Sequence, residues 1–544
     1  MAETVVLSGK VVDLRRRKIF NGDVFVKNGK IDKIQETSTE YKKYILPGFV
    51  DSHVHIESSM VIPSSFAHIA VKHGTVATVS DPHEIANVMG VDGVYFMINN
   101  GKKVPFKFYF GAPSCVPATP FETSGAEIDA QKTKWLLDDP DIYFLAEMMN
   151  FPGVIHGDKE VLQKIEYANN AGKPVDGHAP GLSGDGLNKY ASVNISTDHE
   201  CSTLEEAKEK IEKGITIQIR EGSAAKNFEN LFPLIHSHPD KVMFCTDDCH
   251  PDDLIQGHIN KIVKRAIDKG GDFFDVLRAA ILNPVKHYGL NVGLLQPGDP
   301  ADLIMTSDLE NFDIEKTFID GKLVYDKGQT LFNIPEEKPV NHFNCQPINT
   351  DDIAVPAKGD QIRVILAKDG DLITGQEIFP AKIENGFVVS DTKRDILKIV
   401  VVNRYTPSKP VVGFIKNFNL KKGAIAGSIA HDSHNIIAIG ANDEDLVKAV
   451  NAIIGFTGGI VACSGDFMEE LTLDVAGLMS REDASTVAQK YRQVNELAKT
   501  FGSTLSAPFM TMAFMALLVI PDLKIGDKGL FDVSHFEFTT LFAE

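Results

Sequence analysis

Residues 44–55, Tyr44-Ile45-Leu46-Pro47-Gly48-Phe49-Val50-Asp51-Ser52-His53-Val54-His55, join an apolar run to a polar tail with two histidines. Such a run reads as a strand buried on both faces, the kind found in parallel sheets. The polar tail then stands where the strand ends. His53 and His55 are two residues apart, so in a strand their side chains share a face and can grip one metal ion. An isolated His-X-His pair is often plain loop chemistry, so its meaning depends on what the rest of the chain repeats.

The pattern does repeat. Apolar runs follow at 75–79, 107–110, 143–146, 174–177, 191–195, 215–219 and 242–245, separated by longer helical patterns. With 44–50 as the first, eight strand-helix units fill residues 47–290, the size expected of an α/β protein with a (β/α)8 TIM barrel. Active sites of such barrels form at the carboxyl ends of the strands. The second run is followed by Asp81-Pro82-His83-Glu84, the fourth by Glu147 and the fifth by His178. The sixth is followed by Asp198-His199-Glu200, the seventh by Arg220-Glu221 and the eighth by Asp247-Asp248. His53, His55, Glu147, His178, His199 and Asp247 therefore converge on one mouth. Four imidazoles and two carboxylates suit Zn2+, Mn2+ or Fe2+, and suffice for two ions if Glu147 bridges them.

The flanks read differently. Residues 4–45 alternate β-branched runs with Asn21-Gly22 and Asn28-Gly29 turns, and 301–305 and 316–325 repeat this around Asp320-Gly321. An isolated hairpin is barely stable in water, so the two half-sheets (1–46 plus 291–335) are expected to pair as a discontinuous small β-sandwich domain. Residues 336–544 predict a C-terminal α+β domain, with strands at 361–366, 396–402 and 436–441 and helices at 443–454 and 483–500. The glycine-rich stretch 455–460 lacks the Lys-Ser/Thr ending of a phosphate-binding loop.

The charge excludes some partners. Of 544 residues, 55 are Lys or Arg and 74 are Asp or Glu, and a net charge of −19 repels nucleic acid and anionic membranes. The longest apolar run, 507–520, is shorter than the roughly 18 residues of a membrane span. Residues 1–12 lack a signal peptide's basic start and apolar centre, so a cytoplasmic location is expected. The six cysteines form no CxxC pair, which argues against a disulfide scaffold or a Cys-rich zinc site.

The segment from Pro47 to His55 resembles the first-strand signature of the amidohydrolase superfamily, whose members also carry a composite flanking sheet. Four further segments resemble the adenine deaminases within it. They are Ser80 to Asn87, Asp176-Gly177-His178-Ala179-Pro180-Gly181, Ser196-Thr197-Asp198-His199-Glu200, and Ala430-His431-Asp432-Ser433-His434-Asn435. The resemblance spans essentially the whole chain. It implies a cytoplasmic homo-oligomer (dimer or larger) that hydrolyses free adenine to hypoxanthine and ammonia in purine salvage, with two divalent ions, Mn2+ foremost and Fe2+ or Zn2+ as alternatives.

Carried onto this sequence, the resemblance makes His53 and His55 ligands of the first ion, Glu147 the bridge, and His178 and His199 ligands of the second. Asp247 would complete the first site and shuttle the proton of a hydroxide held between the ions. Glu84 would deliver a proton to the purine ring, with Asp81 and His83 orienting it or the base; Asp81 and Glu84 also fit a helix capping box. Arg220, Glu221 and Ser223 would line the purine pocket, and Glu200 would orient His199. His431, Asp432 and His434 would form a lid, hold another ion or simply make a polar turn.

Two rivals differ in testable features. Cyclic amidases such as dihydroorotases and hydantoinases typically bridge their metals with a carboxylated lysine after the fourth strand, where this chain has Ala146-Glu147-Met148. A non-catalytic barrel scaffold predicts gaps in the ligand set, and all six positions are filled. Deaminases of the zinc cytidine class need a Pro-Cys-x-x-Cys segment that this sequence lacks.

Overall fold

The computed structural model describes residues 4–223 and 225–543. The chain divides into two compact units. The first comprises the residues up to 83, 94–114 and 129–337; the second comprises 84–93, 115–128 and 338–544.

In the first unit the strands Val5–Asp13, Lys18–Lys27, Lys30–Glu36 and Tyr44–Pro47 form one eight-stranded sheet with Leu303–Thr306, Ile314–Ile319, Lys322–Asp326 and Gln329–Thr330. The two halves meet where Leu46 pairs with Ile304 in antiparallel register. Val11, Val24, Ile45, Leu303 and Phe318 pack into one core beneath them. The hairpin after Ile319 turns on Asp320 and Gly321 at φ 46° and 71°, the positive values that a type I′ turn requires.

Eight parallel strands follow in chain order: Phe49–Val54, Thr75–Ser80, Lys107–Ala112, Ile142–Met148, Val175–Gly177, Thr197–Asp198, Thr216–Arg220 and Val242–Cys245. They form a five-stranded and a three-stranded sheet, which bridges at Val175–Ile195 and Val54–Asp247 join into a closed barrel. At the second seam His55 N donates to Asp247 O at 3.2 Å and Asp247 N donates to His53 O at 3.0 Å.

Two strands differ from the sequence expectation. The run 44–50 is two strands rather than one, because the chain passes from the outer sheet to the barrel at Gly48. A Cβ at that position would lie 2.3 Å from Val76 Cγ1, so only glycine permits the close approach. Asp51, Ser52 and His53 consequently lie within the first barrel strand, not after it. The sixth strand is Thr197–Asp198 rather than 191–195. Ala191 and Ser192 close the helix Gly184–Ser192, whose Leu187 and Tyr190, three apart, are its buried face, and Asn194 at φ 68° turns the chain toward the strand.

In the second unit an eight-stranded sheet runs in the order Gly375–Pro380, Gln361–Leu366, Val411–Lys416, Ile396–Val402, Ile436–Gly440, Ala424–Gly427, Gly459–Ser464 and Phe467–Thr472. The helix Asp443–Gly455 lays Leu446, Ala449, Val450 and Ile453 on Val400, Ala424, Ala438 and Val461. Asn442 caps it by accepting from Asp445 N at 2.8 Å. Ala484–Thr500 is the second long helix. Among the described residues no helix is long and apolar enough to cross a membrane.

Two histidines of the first unit tie stability to pH. Burial pushes His73 down to about 3, with His258 adding to the shift, and pushes His287 down to about 4, with Lys241 adding. Between those values and the ordinary 6.5 of imidazole the unfolded chain binds protons that the folded chain does not, so stability falls as pH falls through that window. Each fully resolved group contributes up to about 1.4 kcal/mol per pH unit. The His73→Leu variant should therefore lose about 1 kcal/mol less than the parent between pH 6.5 and 5.5, measured by urea unfolding. Equal losses in both proteins would refute the assignment.

Candidate metal centre

The carboxyl ends of the first unit's barrel strands bring the six expected donor residues together. The first strand presents His53 near its end, with His55 just past it, and their Nε2 atoms lie 3.2 Å apart. Asp247 follows the eighth strand at φ 53°, a left-handed conformation that Asp tolerates better than most residues. Its Oδ1 lies 3.5 Å from His53 Nε2 and 3.1 Å from His55 Nε2. Glu147, the penultimate residue of the fourth strand, stands between two groups of imidazoles. Its Oε1 is 3.3 Å from His55 Nε2, while its Oε2 is 2.6 Å from His178 Nδ1 and 3.2 Å from His199 Nε2. One carboxylate thus offers an oxygen to each half of the site.

The nitrogen that faces inward is set by what the other nitrogen does. His55 Nδ1 bonds the Asp81 backbone oxygen at 3.1 Å, which makes Nδ1 the protonated nitrogen and leaves the Nε2 lone pair for a ligand. All six side chains are buried except that of His178, which is 15% exposed. Donor atoms of His53, His55 and Asp247 all lie within 4.8 Å of one another, as do those of His53, Glu147 and His199. Neutral imidazoles and carboxylates converging at this spacing fit divalent cations of the Mn2+, Fe2+ or Zn2+ kind.

The electrostatics agree with that fit. Burial works against ionisation of Asp247, but Arg220 and the hydrogen bonds from His53 and His55 hold its carboxyl well below the usual range. Burial likewise opposes the charge on Glu147, and His178 and His199 overcome it. His178 is pushed up to about 9: burial lowers it, and Glu200 and Glu147 raise it by more. Cations bound here would take over the positive charge that these protons supply.

The remaining expected residues separate into those in the cluster and those outside it. Asp81 and His83 are in it: Asp81 Oδ2 accepts from Glu147 N at 3.2 Å, and His83 Nδ1 lies 3.2 Å from that oxygen and 3.5 Å from Glu147 Oε1. Asp81 Oδ1 also takes the backbone N–H of His83 at 3.0 Å, where the helix His83–Met89 begins. Arg220 is buried and donates through Nη1 to Glu200 and, at 2.7 Å, to Asp247 Oδ2. Glu221 and Ser223 stand elsewhere. Glu221 pairs with Arg265 and Ser223 Oγ donates to Asp253 at 2.6 Å, along a separate cavity of about 440 Å³ that Thr246 and His258 also line. The strand's alternation explains this, since adjacent residues after Ile219 point to opposite sides.

Glu200 departs from its expected role. Its Oε1 lies 3.4 Å from His199 Nε2 and 3.7 Å from His178 Nδ1, beside the nitrogens that face Glu147, whereas His199 Nδ1 has no hydrogen-bond partner among the described residues. Glu200 thus stands on the same side as the inward-facing nitrogens of His178 and His199, with both its oxygens bonded by Arg220, rather than behind the His199 ring. Sequence reasoning also passed over Asn227, which donates through Nδ2 to His199 O at 2.9 Å and accepts from Arg220 N at 2.7 Å. No sequence signal marked it.

Glu84, His431, Asp432 and His434 belong to the second unit. There Glu84 Oε1 bonds His431 Nδ1 at 2.8 Å and Oε2 bonds His434 Nε2. Burial pushes His434 down to about 4 against the pull of Glu84, so at neutral pH it is an uncharged imidazole donating Nε2–H. The His-Asp-Ser-His segment thus holds a carboxylate in place.

Residues 44–324 match the amidohydrolase family and residues 371–537 match the adenine deaminase C-terminal domain. A protein of Methanosarcina acetivorans named adenine deaminase is 55% identical to this chain over 98% of it and 99% of its own length. The adenine deaminase of Salinibacter ruber is 51% identical over 100% of both, and that of a Sulfurovum species is 52% identical over 98% of both. The chain is a member of the amidohydrolase family and, over its full length, of the group of proteins named adenine deaminase.

Proposed function

We propose that this protein hydrolyses free adenine to hypoxanthine and ammonia with two divalent ions, Mn2+ first among the candidates. The observation that carries the proposal is Glu147, whose two carboxylate oxygens each face a different group of imidazoles. The full-length similarity to proteins named adenine deaminase supports the choice of substrate.

His53, His55 and Asp247 would hold one ion, His178 and His199 the other, with Glu147 between them; Glu200 stands beside the second group. Such ions lower the pKa of water toward neutrality and so supply a nucleophile at physiological pH. The chain's residues supply the proton movements. Asp247, kept ionised by Arg220, accepts the proton that water loses as its oxygen bonds C6 of adenine. Protonation of the ring nitrogen lets C6 accept the oxygen. The C6–N6 bond then breaks, the departing nitrogen takes the proton from Asp247 and leaves as ammonia, and the proton still on the new C6 oxygen is released as the carbonyl forms, replacing the one the ring nitrogen took up. The balance is adenine plus water to hypoxanthine plus ammonia.

His83 and Asp81, next to Glu147, orient the base. The −19 charge carries no penalty for a neutral substrate.

The test is ammonia release from adenine by Mn2+-loaded protein, compared with adenosine, guanine and dihydroorotate. Release from adenine at a rate far above the others is expected. No release from adenine rejects the proposal, and ring opening of dihydroorotate in its place would favour a cyclic amidase.

A further inference from the structure

Lys210 is fully buried, and its partner Asp198 is fully buried with it. Lys210 Nζ lies 3.1 Å from Asp198 Oδ2 and 2.9 Å from Glu206 Oε1, and it donates to the backbone oxygen of Ala179 at 2.6 Å. Glu206 and Lys210 are four apart on the helix Leu204–Glu212, so one helix face presents both. Burying these charges is expensive, and a buried ion pair seldom repays its desolvation as stability alone. The bonds the three residues make to the backbone point to another use.

Asp198 Oδ2 accepts from Ala179 N at 3.0 Å and Oδ1 from Glu200 N at 2.8 Å. Glu206 Oε1 accepts from Gly181 N at 2.8 Å and Oε2 from Ser202 N at 3.1 Å. Ala179 and Gly181 follow His178; Glu200 and Ser202 follow His199. Four backbone N–H groups and one carbonyl, all just beyond these two histidines, are therefore tied to one buried network. Short loops with so few regular neighbours gain fixed geometry from such ties, and fixed geometry is what a metal site needs of its ligands.

We infer that Lys210, with Asp198 and Glu206, is a positioning device that fixes His178 and His199 relative to each other and thereby sets affinity for the second divalent ion. This rests on the reading that His178 and His199 hold that ion. His53, His55 and Asp247 come from strands one and eight, so the first ion's ligands lie outside the network's ties.

The experiment is stepwise Mn2+ titration of the metal-stripped full-length protein and its Lys210→Met variant, with bound metal counted per chain and folding checked by circular dichroism. The parent should bind two equivalents. The variant should bind the first with parental affinity and the second at least about 10-fold more weakly, a split that general destabilisation would not produce. If Lys210→Met does not fold, Asp198→Asn, which keeps the side chain's shape, should show the same split. A folded variant that binds both equivalents with parental affinity overturns the inference. A parent that binds fewer than two equivalents overturns the metal-pair reading, and the inference with it.

Discussion

Replacing Asp247 with Asn is expected to lower adenine turnover by about 10^3-fold, the scale typical of removing a positioned general base, while KM changes little. Asn is the same size, and its amide oxygen can still face His53 and His55 where Asp247 Oδ1 lies 3.5 and 3.1 Å from them. What it cannot do is accept a proton. Arg220 would keep its bond to Glu200 and lose a charged partner at 2.7 Å, an internal change that should leave the barrel folded. Turnover on adenine, metal content and thermal unfolding measured together give the answer. Unchanged turnover removes Asp247 from the proton path, and a fall in metal content proportional to the fall in turnover would make it a ligand only.

Glu147→Gln is expected to have an effect as large, by a different route. The carboxylate stands between His55 at 3.3 Å on one side and His178 and His199 at 2.6 and 3.2 Å on the other. Gln keeps the shape and halves the donors: its NH2 end presents protons to one of the two ions. Bound metal should fall from two ions per chain to one or fewer, and turnover by at least about 10^3-fold, because both halves of the site lose a shared negative charge. Elemental analysis of the purified variant checks the first claim and ammonia release the second. Two tightly held ions with parental turnover would exclude Glu147 as the bridge.

These predictions fall on residues that were legible before any tertiary structure was in view. His53 and His55 stand two apart at the end of one apolar run, and an apolar run before each of Glu147, His178 and Asp247 marks them as strand-end residues, whereas the run 191–195 before His199 is no strand. The barrel was legible for the same reason. Its sixth strand was not, since two residues, Thr197 and Asp198, are too few to carry a pattern, and the apolar residues just before them close a helix. The division of 44–50 at Gly48 was equally hidden, because it depends on how close Val76 comes.

Side-chain direction was harder still. Arg220, Glu221 and Ser223 lie within four positions of one another, yet Arg220 joins Glu200 and Asp247, whereas Glu221 and Ser223 pair with Arg265 and Asp253. Glu200 could be placed near His199 from sequence, but not on the inward nitrogen of its ring. Glu84 was visible as a carboxylate close to Asp81; its partners His431 and His434 lie nearly 350 positions further on.

The sequence by itself determined the strand-helix repeat, the ligand types and their order along the chain, because hydrophobic periodicity and residue chemistry are local properties. Only the tertiary structure decided which oxygen of Glu147 faces which imidazoles, where Glu200 points, and that Lys210 is buried between the loops after His178 and His199. Those are contacts between residues from different strands and loops, and their distances follow from packing rather than from spacing along the chain.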